Sequence, residues 1–231
     1  MIHLNHIIGL CLLLSLVQCG EKPKGPVAVP VGFLPEVTIM PSARTMQRGD
    51  TLWLDMNCSD SLLDRNSGRR FRVRPQDVAL RSYIAFQRLE GIGRLPTNIA
   101  PTFRLVEQVG RAVVKGSFSA SFEPIYDGSR YRARIGLIPT QTGITAIVVR
   151  MVPVDDTRAF GQFLPFISLP TDAEGREQKA VLDDSFYVVN GGKANNFDLF
   201  AQHTRAFALE PGTPQIQIIY EQKSTFTVEV K

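Results

Sequence analysis

Apolar and polar residues alternate with a period of two through most of this chain, and that pattern predicts strands. From Glu36, VTIM leads through PSARTMQRGD into TLWLDMN, two extended runs joined by a Gly-Asp turn. In the second run Leu52, Leu54 and Met56 share one face, and Trp53 and Asp55 take the other. Asp64-Arg65-Asn66-Ser67-Gly68 is dense in turn formers. The following FRVR opposes Phe71 and Val73 to Arg70, Arg72 and Arg74. VALRSYIAF (78–86) reads as a strand and Gly91 to Pro101 as a loop. In SFSASF, Phe118, Ala120 and Phe122 oppose Ser117, Ser119 and Ser121, as in a strand wet on one side. After a turn at Tyr126-Asp127-Gly128-Ser129, RYRARIGLI sets Tyr131, Ala133, Ile135 and Leu137 inward and Arg130, Arg132 and Arg134 outward. ITAIVVRMV is apolar on both faces, which suits a central strand covered on both sides.

The period then changes. Residues 153–180 are irregular and carry several prolines, and SFYVV is a short strand ending at Asn190-Gly191-Gly192. In NNFDLFAQHTRAF, Asn195 or Asn196 can cap a helix with Phe197, Phe200, Ala201 and Thr204 on one face. IQIIY and TFTVEV close the chain as strands, the last with Phe226, Val228 and Val230 inward. The expected fold is mainly β, an antiparallel sandwich over residues 36–231. A long insertion at about 153–212 would hold one short helix. Two domains dividing near residue 108 are the alternative.

The N-terminus is organised differently. Ile7 to Val17 is uncharged, has the length of a signal-peptide core and is too short to span a bilayer. It ends at Leu16-Val17-Gln18-Cys19, which resembles the lipobox of bacterial lipoproteins. The resemblance implies cleavage after residue 18, acylation (palmitate among the chains) at Cys19, and a near-permanent membrane anchor. Gly20 follows the cysteine, and the resemblance then implies an outer-membrane destination, on either its periplasmic or its surface side. The other reading is an ordinary secretory signal in which Cys19 is incidental. Residues 19–35, rich in Pro and Gly, read as a tether between lipid and domain. The opening VTIMPSARTMQRGDTLWL looks like the first two strands of immunoglobulin-like domains in bacterial surface proteins. That makes the expected sandwich immunoglobulin-like.

Composition narrows the chemistry. A net charge of +4 fits an anionic envelope and does not argue for nucleic acid. With Cys11 in the signal and Cys19 acylated, Cys58 has no intrachain disulfide partner. It reads as a small apolar core residue, with a reactive thiol or pairing between chains as the sharper possibilities. His203 is the one histidine past residue 18, so zinc sites built on several His or Cys are excluded. On a helix beside Leu199 and Phe200 it reads as packing. No metal or cofactor is expected.

Candidate sites remain few. Arg70, Arg72 and Arg74 with Arg130, Arg132 and Arg134 form two arginine rows. Brought together, they would make a cationic face for carboxylates or phosphates, as on acidic glycans or lipid head groups. A solvated sheet face that discourages edge pairing is the plainer reading. Asp64, Asn66 and Gly68 resemble half a calcium loop, but Pro75 stands where the twelfth-position Glu belongs; a weaker site built with Asp60 stays open. Gly91-Ile92-Gly93 is no dinucleotide fingerprint, since Pro96 replaces the third glycine. Asp155-Asp156 and Asp183-Asp184 are the carboxylates a glycosidase would need. One Trp against 14 Phe and 5 Tyr argues against a carbohydrate-binding module, and Trp53 reads as packing. The expected function is a non-enzymatic, membrane-anchored envelope module that binds a protein or acidic glycan or serves in assembly. A glycan-active hydrolase is the alternative.

Overall fold

The computed structural model describes residues 25–231 apart from 79, 92–96, 99–101, 116–118, 153–162, 184 and 205–222. In chain order the first strands are β1 (Val27–Val31), β2 (Glu36–Met40), β3 (Thr45–Met46), β4 (Leu52–Ser59), β5 (Ser61–Leu63) and β6 (Arg70–Arg72). The middle holds β7 (Arg81–Arg88), β8 (Thr97–Asn98), β9 (Phe103–Val109), β10 (Arg111–Lys115), β11 (Ser119–Glu123) and β12 (Ile125–Tyr126). Then come β13 (Arg130–Pro139), β14 (Gly143–Val152), β15 (Gln178–Leu182), β16 (Val188–Val189), helix α1 (Phe197–His203) and β17 (Thr225–Val230). The protein is mainly β, as its alternation predicts.

Two larger sheets share one core. One runs β10-β11-β7-β14-β17-β3, with β8 beside β7. The other runs β12-β13-β4-β2-β16, with β9 also against β13. Strand β2 pairs antiparallel with β4, whereas β3, past Pro41, pairs parallel with β17 in the opposite sheet. The chain changes sheets again at Gly110, between β9 and β10. A Cβ there would lie 2.6 Å from the Glu123 carbonyl oxygen, so the close approach, at φ +81°, requires glycine. Leu52, Leu54, Met56, Ala133, Ile135 and Leu137 meet Ile84, Phe86, Phe122, Ile147, Val149 and Phe226 in one buried cluster. That cluster extends from Val31 to Val230, and β9 and β10 on either side of Gly110 belong to the two sheets that share it, so the core does not part near residue 108.

The period-two readings of β4 and β13 hold residue by residue. On β11, Ala120 and Phe122 are buried as expected, but so is Ser119, while residues 117 and 118 lie outside the described set. The two-faced apolar pattern of β14 has its expected reason. The strand sits between β7 and β17, with Ile147 and Val149 in the main core. Ala146 packs on its other face against Leu89 and Phe200 of α1. Strand β17 is buried on both faces, with Thr225 and Thr227 covered as well as Phe226 and Val228. Helix α1 buries Leu199 and Phe200 and leaves Ala201 exposed, so its inward face is turned from the expected one. Of the two expected caps, Asn195 Oδ1 accepts from the Phe197 N–H at 3.3 Å, while Asn196 donates to the carbonyls of Ala43 and Thr227 and makes no side-chain cap. A short strand, β8, lies in the stretch expected to be a loop.

The largest departure is at the N-terminal end of the body. Residues 27–35, read as tether, are packed. Strand β1 pairs in parallel with β15, and Val31 and Phe33 are fully buried. The packed body therefore begins at Val27 and not at residue 36. The described part of the insertion is equally integral: β15 joins β1, β16 pairs parallel with β2, and Ala180, Leu182, Tyr187 and Val189 enter the main core. Tyr187 hydroxyl and Ser82 Oγ share a buried hydrogen bond of 2.5 Å, which satisfies both polar groups inside the core.

Candidate functional site

The two arginine rows do not merge into one sheet. Strand β6 pairs with β5 in a two-stranded ribbon, and β13 is paired by β4, β9 and β12. They meet through Asp60. Its carboxylate accepts from Arg72 Nε and the Tyr126 hydroxyl, both at 2.8 Å, while its N–H donates to the Ser129 carbonyl and its carbonyl accepts from Val73 N–H. Burial works against the Asp60 charge, but the bonds from Arg72 and Tyr126, with the charges of Arg72 and Arg74, outweigh it and hold its carboxyl below the usual range. This stabilisation is present above the ordinary carboxylate pKa and is lost on acidification. Tyr131 donates to the Val73 carbonyl at 2.9 Å and packs its ring at a tilt against Tyr126, locking the ribbon to β13.

Local acceptors engage most of the arginines. Arg132 pairs with Asp127 at 2.9 Å and Arg134 with Asp55 at 3.3 Å. Arg130 donates to the Asn57 side chain and carbonyl, and Arg70 to the Ser61 carbonyl. Backbone N–H groups of Ser129 and Arg130 hold the Asp127 carboxyl low. The arginines thus close turns and brace β4 against β13, and among the described residues carboxylates engage Arg72, Arg132 and Arg134. Trp53 belongs to the same brace. It lies over Gly136, whose added Cβ would meet the indole at 3.2 Å, and the Arg134 guanidinium sits 4.8 Å from its ring centroid.

The remaining candidates resolve individually. Asp64, Asn66 and Gly68 do build a turn, but its carboxylate faces donors. Oδ1 accepts from the N–H of Gly32 and Asn66, and Oδ2 from the N–H and hydroxyl of Ser67. Oxygens engaged in this way do not present a cation site. Among the described residues no group of three or more His, Cys, Asp or Glu is placed to hold a metal. Asp183 is ion-paired with the buried Arg65, which also lies over the Phe186 ring. Asp155, Asp156 and Asp184 lie outside the described residues. His203 places Nδ1 2.9 Å from the Leu199 carbonyl, so that nitrogen carries the proton and the ring packs along its own helix.

Cys58 is half-buried against the core, and burial pushes its thiol up from an ordinary value of 9.0 to about 11. The thiol is therefore neutral near pH 7. Labelling by a thiol reagent at neutral pH is expected to be slow in the folded protein and fast in denaturant; equal rates would contradict this burial. The folded state disfavours the thiolate, so this group leaves stability untouched below about pH 9 and lowers it as the pH rises from there towards 11.

Two surface features carry no signal in the arginine or carboxylate patterns. Among the described residues strand β10 is the edge of its sheet, and Val113 and Val114 on it are each 49% exposed. Arg111, Val113, Lys115, Ser121 and Glu123 line a shallow depression of about 140 Å³ beside that edge. Ala112 donates its N–H to Glu107 Oε1 at 2.6 Å, so its backbone faces away from β11, and by alternation Val114 faces the same way. The run Arg111-Ala112-Val113-Val114-Lys115 between Gly110 and Gly116 is the sequence cue for this strand. The second feature is Phe163, 50% exposed, with the Lys179 ammonium 5.8 Å from its ring centroid.

No helix among the described residues is long and apolar enough to cross a membrane. No family model matches the chain, and no curated protein matches it significantly. Among solved structures it is similar to the Reelin-N domain of F-spondin, at 10% sequence identity and a TM-score of 0.31, over 70% of this chain and 86% of that one. A likeness at that level bears on neither fold nor function.

Proposed function

We propose that this chain is an envelope lipoprotein, acylated at Cys19 and held at the outer membrane, whose body is a non-enzymatic assembly or binding module. The observation that carries the assembly role is the β10 edge. It presents the outward backbone of Val114 and two half-exposed valines, the arrangement by which an extended segment of a partner adds a strand. Glu107 and Lys115 at that edge guard it against indiscriminate pairing. The body is an immunoglobulin-like sandwich on this reading. Support comes from the strand order: β2-β4-β13-β12 corresponds to the A-B-E-D sheet, and β11-β7-β14-β17 to the C′-C-F-G sheet.

Anchoring is tested by the Cys19→Ser variant and by the mass of the mature N-terminus. The wild type is expected to sediment with outer membranes and to start at an acylated Cys19, and the variant to leave the membrane fraction. An unacylated wild-type N-terminus overturns the anchoring. The edge is tested by Val114→Pro. It removes one outward N–H without touching the β10–β11 ladder, so the fold survives and partner crosslinking at this edge is lost. Unchanged crosslinking overturns the assembly role.

A further inference from the structure

We infer that the outer face of the ribbon formed by β1, β15 and the Phe163 segment lies against the lipid surface to which the chain is anchored. This rests on the acylation of Cys19 proposed above. Strand β1 starts at Val27, whose N–H donates to the Glu177 carbonyl at 2.9 Å, and runs parallel to β15. On the far side of β15, Phe163 bridges Val181, and Leu164 N–H donates to the Ala180 carbonyl at 2.9 Å. Period two sorts this ribbon cleanly. Val31, Ala180, Leu182 and Leu164 are buried on its inner face. Ala28, Pro30, Lys179, Val181 and Phe163 share the outer one.

The length of chain before Val27 brings this face to a membrane. From Cys19 to Val27 is eight Cα steps, which span at most about 29 Å fully extended. Phe163 sits at the level of Pro30, two strands across, within about 14 Å of Val27 by strand rise and spacing. Phe163 therefore stays within about 43 Å of the anchor, and nearer whenever the intervening segment is not fully extended.

Its chemistry suits that position. A half-exposed phenyl ring, flanked by small apolar residues, can enter the boundary between headgroups and acyl chains. The Lys179 side chain is 42% exposed and lies over that ring, so its ammonium can reach headgroup phosphates while its methylenes stay with the apolar face. Its contact with Glu177 is long, at 3.9 Å, and Glu177 is the more exposed partner. Lys22 and Lys24 in the preceding segment, partly offset by Glu21, add a net charge of the same sign.

The test uses the full acylated wild-type protein in vesicles of phosphatidylethanolamine with a minority of phosphatidylglycerol. Amine labelling from the water phase is followed by mass spectrometry at Lys179 and, as a reference remote from the ribbon, at Lys115. Lys179 is expected to label several-fold more slowly in vesicles than in the soluble Cys19→Ser form, with Lys115 unchanged. In parallel, Phe163→Trp in a Trp53→Phe background is expected to be quenched by brominated acyl chains, and Val113→Trp in the same background is not. Protein that floats with the vesicles while Lys179 labels at its soluble rate overturns the inference and leaves the anchoring intact. Protein that does not float overturns both. Protection of Lys179 in native membranes but not in protein-free vesicles assigns the face to a protein partner and overturns the lipid contact.

Discussion

Phe33→Ala is expected to cost about 3–5 kcal/mol of folding stability, the range for removing a fully buried aromatic side chain. Phe33 is 0% exposed, its N–H donates to Ser185 Oγ at 2.9 Å, and it bridges Asp64. A domain with an ordinary stability of about 5–15 kcal/mol would lose about a fifth or more of it. The measurement is the shift in denaturant midpoint at unchanged slope. Pro26→Ala, at an exposed position just before β1, is the control, with an expected change within about 0.5 kcal/mol. If Phe33→Ala moved the midpoint no further than the control, the segment would be a tether after all and β1 would not belong to the packed body.

Asp64→Ala is expected to cost about 3–4 kcal/mol, because one carboxylate organises two parts of the chain at once. It is 1% exposed and accepts from Gly32, Asn66 and Ser67. Truncation leaves three backbone N–H groups and a hydroxyl without their acceptor, so most of the effect is the cost of stranded donors and not of one bond. Asp64→Asn keeps one oxygen and is expected to lose about half as much. Calcium is expected to leave the wild-type midpoint unchanged, since a bound ion would raise it by mass action. A calcium-dependent rise would show that the oxygens serve a cation. Phe33 and Asp64 share a bridge and Gly32 lies between them, so the double variant is expected to fall short of the sum of the two.

Both expectations concern a segment whose local pattern misleads. Gly25, Pro26, Pro30, Gly32 and Pro35 in and around β1 break the alternation that marks β4 and β13, and their density reads as unpacked chain. The strand survives because its register with β15 is parallel and its partner lies about 150 residues away, a relation no local window contains. The five residues of β1 bury little until β15 pairs with them and Val31 joins the core. The same reason hides β3, which has two residues and pairs parallel with β17.

The candidate site shows a related gap. Period two correctly placed Arg130, Arg132 and Arg134 on one outward face, since side-chain direction is a local property of a strand. What each guanidinium meets is not local. Asp55 comes from the facing strand and Asp127 from the turn before β13, and Asp60 reaches Arg72 across the β5–β6 ribbon. A row that looks like an open cationic face is drawn largely into internal pairs. Asp64 was legible as a turn former, but Gly32 as its donor was not.

Sequence alone determined the class of the fold, the inward residues of the long antiparallel strands, the two-sided burial of β14 and the helix after Asn196, because period and capping chemistry act over a few residues. Only the tertiary structure decided where the body begins, that the insertion pairs with the first two strands, and which carboxylates hold the arginines. Those outcomes depend on contacts between segments far apart in the chain, whose stability comes from burial and hydrogen bonding completed only when both segments are in place.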